Sequence, residues 1–579
     1  MGKSLVRNNT FKGDSVPKLT KILFPWSGIF RDACYALIGT FLIQYAITSG
    51  VLSKTASEFS AQYGVITIAM MIALLWDGIN DPIMGFILEK CHFKAGKFRP
   101  WIEIGAIGNA ICVATMFLAP ALITGLRGWG YVVFMIIMYV LWDTCFTMND
   151  IGYWSMLPAL TNDPKQRASI TTQTAIAATI GTFVMNIMMF ALPGTFKNVS
   201  TSQIYMWTGL FVAAFFLASQ TVVFFLCKEK ERDVKQEEVS EKSSLLDLFR
   251  VVIKNKQLGC AALGMLLYYF GSFILTGIGQ NYFYMVFGYG GDRGGMVATA
   301  ISVIYVLATI FAQAFYPMIA KKLPKKKIIL ISGIIIFVAY LTFLLIAFPF
   351  PGAAHPIAYN NPASGGLWFV GGTMFLYYIF SFLFFGASGI FYLTILVMFQ
   401  DAIDYNEWKY GERKESICFA WRPLDVKLAS GLNRGLQYLT FAVTGTVLAI
   451  NSISNWEGMS NALSAAATNS MEKLAIGNLR DANIEQARLA ITSTQLFFFG
   501  VIIIAVILLC FGGAMALLQF GYKIDEKLEE QIVKELAIRN AEDNKAAEEM
   551  NEQKDGSEQE PVEAPVVEEE PAESAEEAK

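Results

Sequence analysis

The chain has few ionisable side chains for its length, and it has almost no histidine. Charged residues make up 16% of the 579 residues and hydrophobic residues 54%, whereas soluble domains usually contain about 25% charged residues. The two histidines, His92 and His355, fall in predicted loops. Histidine is the side chain that most often binds metals and transfers protons near neutral pH, so this shortage argues against a histidine-based metal or catalytic site.

Paired cysteines and a cleavable signal peptide are also missing. The eight cysteines are scattered through apolar runs without the spacing of a disulfide framework or a metal site, so we expect them to be small apolar packing residues. Polar and basic sequence continues to about Lys21 before the first long apolar stretch, and we expect that stretch to be a span of the mature protein. The spans contain no nucleophile–base pair, so the sequence predicts a protein that is not an enzyme.

Long apolar runs are abundant, and they determine the predicted fold class. Twelve runs are each long enough to cross a hydrocarbon core of about 30 Å as a helix. Such runs predict an all-α, multi-pass protein of the cell membrane. The approximate bounds of the predicted spans are 26–50, 62–89, 101–123, 129–158, 167–193, 203–227, 257–288, 295–320, 327–350, 368–401, 427–451 and 494–519.

Lysine and arginine set the predicted orientation. They are concentrated in the N-terminal segment and the even-numbered loops, and basic loops face the cytoplasm, so we expect both termini to be cytoplasmic. A charged stretch separates six spans from six, as in many secondary transporters that hold a substrate site between two halves. The predicted organisation is an N-terminal segment 1–25, an N-terminal half 26–227, a central loop 228–256, a C-terminal half 257–519 with an external helical segment at about 455–488, and an acidic, largely disordered tail 520–579.

Two carboxylates lie inside the second apolar run. Asp77 and Asp81 are four residues apart with Asn80 between them, so all three project from nearly the same face of a helix. A carboxylate inside a bilayer costs about 3 kcal/mol, and two on one face also repel each other. Such a pair persists when a cation lies between the two groups or a proton binds one of them. The alternative is a pair that faces water at the end of the span, although apolar sequence continues to Leu88.

The fourth run carries one polar stripe. Asp143, Thr147, Asp150 and Trp154 are spaced by four, three and four residues, which places them on one helix face. A carboxylate at Asp150 can accept hydrogen bonds from two sugar hydroxyls, and the indole of Trp154 can cover the apolar face of a sugar ring. The alternative for Trp154 is a tryptophan at the membrane interface.

A cation site can be assembled from these two runs. Oxygen ligands from Asp77, Asn80, Asp81 and Thr147 suit a hard monovalent cation, and the lack of soft ligands argues against a transition metal. A proton on one carboxyl group could do similar work, so Na⁺ and H⁺ both stay open. Cation and substrate could then favour the same conformations, which is the physical basis of coupling.

Basic side chains also occur inside the spans. Arg31 precedes Asp32 in the first run, and this pair could serve either a substrate or a structural ion pair. Lys427 and Arg434 lie in the eleventh run. Since Lys427 is near the start of that run, its side chain could instead extend to the interface.

Three motifs, in order along the chain, carry a family resemblance. They are Asp77-x-x-Asn80-Asp81-Pro82-x-x-Gly85 followed by Gly96-Lys97-Phe98-Arg99-Pro100-Trp101; Asp150-x-x-x-Trp154-Ser155-x-Leu157-Pro158; and Asp404-Tyr405-x-Glu407 with Glu415-Ser416-Ile417 downstream. With them the chain resembles the glycoside–pentoside–hexuronide:cation symporters of the major facilitator superfamily, from about Pro25 to Gln519.

The resemblance implies a role for each matching residue. The cation site, which is also the metal site, would consist of Asp77, Asn80, Asp81 and Thr147. The substrate site would consist of Asp32, Arg31, Asp150, Trp154 and Lys427. The cytoplasmic gate would include Lys97 and Arg99.

Two departures from the family pattern affect the substrate site. Where the melibiose-type proteins have a sugar-binding arginine in span 5, this chain has Ala175. An insertion at Trp421-Arg422-Pro423 shifts the family's span-11 lysine, so that it matches Lys427 by one count and Arg434 by the other. We prefer Lys427 for its Lys-Leu-Ala-Ser setting.

The sequence as a whole predicts a twelve-helix, cation-coupled sugar symporter that works by alternating access. Its expected partners are a sugar or glycoside, a monovalent cation and the lipid bilayer; we expect a monomer that binds no nucleic acid and no cofactor other than the coupling ion. One alternative is a carrier of the same fold for an anionic or lipid-like substrate. A second is a membrane sugar sensor that does not transport.

Overall fold

The computed structural model describes residues 10–11, 15–91, 93, 95–161, 163–230, 245–353, 374–411, 421–536 and 538–539. Four sequence predictions lie wholly or partly outside these residues: those for the loop histidines His92 and His355, for the central loop at 231–244, for the Glu415-Ser416-Ile417 motif, and for the acidic tail beyond 539. The first part of the predicted tail is described, and 526–536 is helical. Glu529 in that helix pairs with Lys325 at 2.6 Å.

Helices follow the apolar runs closely. They are α1 Lys18–Thr48, α2 Ala56–Lys90, α3 Arg99–Leu122, α4 Gly128–Ala159, α5 Pro164–Ala191, α6 Thr201–Leu226, α7 Leu245–Lys254, α8 Lys256–Phe287, α9 Gly294–Ala320, α10 Lys325–Ala347, α11 Met374–Tyr410, α12 Trp421–Thr444, α13 Val447–Ala466, α14 Ser470–Leu489 and α15 Ser493–Ala516, the last continuing into a π-helical turn Leu517–Gly521. The described strands are two residues each, β1 Thr10–Phe11 and β2 Glu229–Lys230, and they pair in parallel.

Ten of the described helices are long and apolar enough to cross a membrane, or eleven crossings result if α12 and α13 together form one span. The all-α membrane fold is therefore confirmed, while twelve crossings and cytoplasmic termini stay predictions. Helix α1 is also of spanning length, at 31 residues, but it is less apolar because Arg31 and Asp32 lie near its middle.

The helices pack as two groups that meet along α12 and also between α5 and α9. Helix α1 packs against α5 and α6, and α4 packs against α2 and α3; in the second group α11 packs against α9 and α10, and α8 against α15. Helix α12 packs against both α8 and α2. A side chain on α12 can therefore contact either group, which makes this helix the place to look for a site between them.

The predicted eleventh span, 427–451, is not one straight helix. Helix α12 ends at Thr444, α13 begins at Val447, and their axes differ by 99°. Gly445 lies between them with φ of 70°, a left-handed conformation that glycine adopts without steric cost. The apolar run continues through the bend, so hydropathy alone gave no sign of it.

Helices α13 and α14 form a hairpin. One buried carboxylate on α13 makes hydrogen bonds to both helical groups. Glu457 on α13 is fully buried. It accepts hydrogen bonds from the Thr201 backbone N–H at 3.2 Å, the Thr201 hydroxyl at 3.1 Å and the Tyr289 hydroxyl at 2.8 Å. Arg480 on α14 pairs with it at 3.2 Å and with Asp481 at 2.8 Å. Because Thr201 begins α6 and Tyr289 follows α8, this carboxylate joins the two helical groups.

Candidate functional site: ion pairs between the helices

The first cluster joins α2 to α12. The Lys427 ammonium lies 2.7 Å from Asp77 Oδ2 and also pairs with Asp81. Thr147 on α4 donates its hydroxyl to Asp77 Oδ1 at 2.9 Å. Polar groups of three helices thus converge within the membrane-spanning part of the protein, and the lysine supplies the positive charge that the paired carboxylates require.

Asn80 lies on the same face of α2 as Asp77, one turn along. Its side chain is buried, and its amide nitrogen has no hydrogen-bond partner among the residues that the structure covers. A buried amide without a hydrogen bond costs free energy. The position therefore favours a side chain that can change its hydrogen-bond partners. Asp77 therefore contacts both Thr147 and Lys427, and Lys427 also contacts Asp81. Asn80 lies beside these residues on α2.

The composition of the cluster limits the ions that it can hold. Within the described ranges, no group of three or more His, Cys, Asp or Glu side chains could hold a metal ion. The two carboxylates of Asp77 and Asp81 would need the amide of Asn80 and the hydroxyl of Thr147 to complete an oxygen shell. Four oxygen ligands with two negative charges would fit a hard cation, and this assignment stays a prediction.

The second cluster joins α1 to α4 around one arginine. The Arg31 guanidinium is 1% exposed and lies 2.9 Å from both Asp150 Oδ1 and Asp32 Oδ2. It also stacks on the rings of Tyr153 and Trp154, at 4.3 Å and 5.1 Å from their centroids. Charge pairing and cation–π contacts hold the guanidinium rigidly.

Two side chains of this second cluster, Asp150 and Trp154, are accessible to a ligand. The Asp150 side chain is 39% exposed, and Trp154 is 40% exposed. A carboxylate with free acceptor sites beside an open indole face is the arrangement expected for a sugar ring. The four residues predicted to hold substrate on α1 and α4 therefore lie together.

Lys427 lies with the carboxylates of the predicted cation site. It pairs with Asp77 and Asp81, whereas Arg31 pairs with Asp150. Sequence spacing could not separate these two placements, because both depend on how α12 packs against α2. Ala175 is exposed on α5, where its methyl group offers no polar contact.

The predicted gate segment is held by a carboxylate that sequence reasoning missed. The backbone N–H groups of Lys97, Phe98 and Arg99 donate to the Glu229 carboxylate at 2.8, 3.0 and 2.7 Å. These groups open α3, where N–H donors lack helical partners and favour negative charge. The Arg99 side chain is buried and donates to the Phe224 carbonyl. A single glutamate after a span gives no local signal, so Glu229 could be found only by its packing.

The chain is similar to known transport proteins over most of its length. A sequence profile of the family described as MFS/sugar transport protein matches residues 56–526. The raffinose carrier protein of Pediococcus pentosaceus is 24% identical over 423 residues, which are 72% of this chain and 61% of that protein. The isoprimeverose transporter of Lactiplantibacillus pentosus is 23% identical over 460 residues, which are 78% of this chain and 85% of that protein.

The chain thus spans about three fifths of the length of the raffinose carrier protein. Among solved structures, a bacterial homolog of the human lysosomal transporter Spinster gives a TM-score of 0.49 at 14% identity, with 85% of this chain and 96% of that chain covered. The α2–α12 cluster lies wholly inside the matched range 56–526, whereas Arg31 and Asp32 precede it.

Proposed function

Because the chain belongs to the family of MFS/sugar transport proteins, we propose that it carries a sugar or glycoside across the membrane together with a monovalent cation, Na⁺ or H⁺. Membership confirms the family resemblance and the prediction of a multi-span protein of the cell membrane that is a transporter and not an enzyme. The observation that supports cation coupling is the Asp77–Lys427–Asp81 cluster, which links α2 to α12.

The cation acts on the contact between the two helical groups. Lys427 neutralises Asp77 and Asp81 when no ion is bound. An arriving Na⁺, or a proton on one carboxyl group, takes over part of that neutralisation and weakens the hold on Lys427. Because α2 and α12 belong to different groups, ion occupancy shifts the equilibrium between conformations of the whole protein.

The substrate binds at the α1–α4 cluster. Asp150 accepts hydrogen bonds from sugar hydroxyls, the buried guanidinium of Arg31 holds the Asp150 carboxylate in place, and Trp154 packs against the apolar ring face. Cation and sugar each stabilise the same arrangement of the two groups, and alternating access follows as the groups move around these clusters.

Uptake into proteoliposomes tests this function. A panel of α- and β-galactosides, glucosides, xylosides and glucuronides is offered under an imposed Na⁺ gradient, an imposed proton gradient or neither, with protein-free liposomes as the control. Accumulation driven by one gradient identifies the cation and supports symport. Accumulation of no glycoside under either gradient would overturn the assignment of a sugar as substrate.

A further inference from the structure

Helices α13 and α14 lie across the ends of the two helical groups. We call this hairpin, residues 447–489, the external strap, because the sequence predicts that these helix ends face outwards. The external strap leads directly into α15, which packs against α8 of the second group. The chain itself therefore joins the external strap to the second group.

Contacts along α14 also hold the external strap to the second group. The Arg488 guanidinium donates to the Val286 carbonyl near the end of α8 at 3.0 Å. Glu485 pairs with Arg293, which precedes α9, at 3.4 Å. Because these contacts add to the covalent connection through α15, the external strap and the second group can move together.

A different set of contacts holds the external strap to the first group. The Glu457 carboxylate accepts hydrogen bonds from the backbone N–H and the hydroxyl of Thr201, at 3.2 and 3.1 Å. The Lys197 ammonium, in the loop before α6, donates to the Asn478 side chain at 2.9 Å. These contacts are noncovalent, and they cross from one helical group to the other.

The backbone of the external strap lies directly on the first group at two glycines. A Cβ atom added to Gly458 would lie 3.2 Å from the Cα atom of Gly50, and one added to Gly477 would overlap the Lys197 carbonyl oxygen. Contacts this close leave no room for a side chain between the two backbones. The first group must therefore leave the external strap before the two groups can separate at this end.

The two groups also touch each other directly beneath the external strap. The Gln44 amide on α1 donates to Asn281 on α8 at 3.0 Å, and the Gly291 backbone N–H donates to the Pro193 carbonyl at 2.9 Å. Arg31 of the α1–α4 cluster lies about 20 Å further along α1 than Gln44. The structure is therefore closed between that cluster and the predicted outer side.

We propose that the external strap is the outer gate of this carrier, and that it stays with the second group and detaches from the first when the site opens outwards. Alternating access requires the groups to separate on one side at a time. The contacts of Thr201 and Lys197 are the ones that this opening breaks, whereas those of Arg293 persist. The inference rests on the proposed alternating access and does not depend on which substrate is carried.

Cross-links test which contacts break. The cysteine pair Lys197→Cys/Asn478→Cys joins the external strap to the first group, and Arg293→Cys/Glu485→Cys joins it to the second; all four side chains are exposed or half-buried. Each pair is introduced into a chain whose eight native cysteines are replaced by alanine. A short bis-methanethiosulfonate linker bridges the pair, and dithiothreitol removes it. Uptake of a transported glycoside into proteoliposomes is compared before and after bridging.

The two bridges should have opposite effects on transport. Bridging positions 197 and 478 should abolish uptake, and dithiothreitol should restore it, because a carrier held in one conformation cannot complete its cycle. Bridging positions 293 and 485 should leave uptake unchanged. Each sample is compared with itself, so misfolding cannot imitate the result. Inhibition by both bridges, or by neither, would overturn the proposed gate.

A distance measurement decides the question without any transported substrate. Spin labels are placed at Leu122 and Phe350, which are exposed at the outer ends of the first and second groups. Thr201→Val removes a hydroxyl that donates to Glu457, so the ratio of the longer to the shorter label distance should rise about tenfold. Glu485→Gln weakens only a contact to the second group and should not change that ratio.

The distances also separate the inference from the proposed function. An unchanged ratio in Thr201→Val, or equal changes in both variants, would overturn the outer gate while leaving sugar transport standing. If wild type accumulates no glycoside but the label distances respond as expected, the assignment of a sugar fails and the gate is supported.

Discussion

The Lys427 ammonium lies 2.7 Å from the Asp77 carboxylate and so joins α12 to α2 inside the protein. The lysine occupies the position in which an external cation would be needed to balance Asp77 and Asp81. An internal positive charge that an ion can displace links ion binding to helix packing directly.

Replacing either carboxylate should remove the response to the coupling ion. In Asp77→Cys or Asp81→Cys, we expect the cation to stop raising sugar affinity, an effect that is typically about 5–150-fold between coupled sites, while some sugar binding persists. Sugar binding with and without Na⁺, and at two pH values, measures the loss. Thr147→Ser keeps its hydroxyl and is the matched control. Cation stimulation that is unchanged in both aspartate variants would contradict the site assignment.

Removing the lysine should make stability depend on added cation. Lys427→Met leaves Asp77 and Asp81 facing each other without a positive charge, so Na⁺ or protonation should stabilise the variant more than it stabilises wild type. Thermal unfolding is compared in sodium and choline chloride and at decreasing pH. Lys326→Met, on a different helix, is the control. Identical changes in Tm for both variants would show that Lys427 does not stand in for the ion.

The buried Glu457–Arg480 pair should be expensive to break. Burial lowers the pKa of Arg480, but the carboxylates of Glu457 and Asp481 more than offset this and hold its pKa above the ordinary value, so the pair persists across working pH. Glu457→Ala leaves a buried charge unpaired, and the free energy of unfolding should fall by about 3–5 kcal/mol. Thermal or denaturant unfolding measures the change.

A more exposed pair, between the same hairpin and the residue that precedes α9, provides the control for that prediction. Glu485 and Arg293 are separated by 3.4 Å, with side chains 30% and 37% exposed. Glu485→Ala should change the free energy of unfolding by about 1 kcal/mol or less. Equal effects of Glu457→Ala and Glu485→Ala would mean that burial does not set the strength of the first pair.

The Glu229 contact should stabilise the start of α3. Glu229→Gln keeps the size of the side chain but removes the charge that faces three backbone N–H groups, so we expect a loss of about 0.3–1 kcal/mol. Faster trypsin cleavage after Lys97 would report the loosened segment. Glu530→Gln, at a side chain 76% exposed, should leave the cleavage rate unchanged, and a similar rate in both variants would argue against the role of Glu229.

Sequence analysis predicted the helices and part of the site because both leave local signals. Long apolar runs are physically required of membrane helices, and their ends coincide with charged or turn-forming residues. The spacing of Asp77 and Asp81 and the stripe through Thr147 were likewise visible within single helices. The structure adds that Thr147 donates to Asp77.

Contacts between distant segments left no such signal. The pairing of Lys427 with Asp77 depends on the packing of α12 against α2, which are separated by more than 300 residues. The bend at Gly445 interrupts an apolar run that hydropathy treats as continuous. Glu457 sits in a polar, alanine-rich stretch, and only its burial against Thr201 and Tyr289 distinguishes it from a solvated glutamate.

The position of Glu229 also decides where the chain can be divided in protein engineering. Its carboxylate holds the N–H groups of Phe98 and Arg99, and the adjacent Lys228 backbone N–H donates to the Thr20 hydroxyl at 3.0 Å. These residues follow the sixth long helix, yet they complete the first helical group. Two separately expressed fragments should therefore reassemble when the cut follows Lys230, and fail to do so when it precedes Lys228.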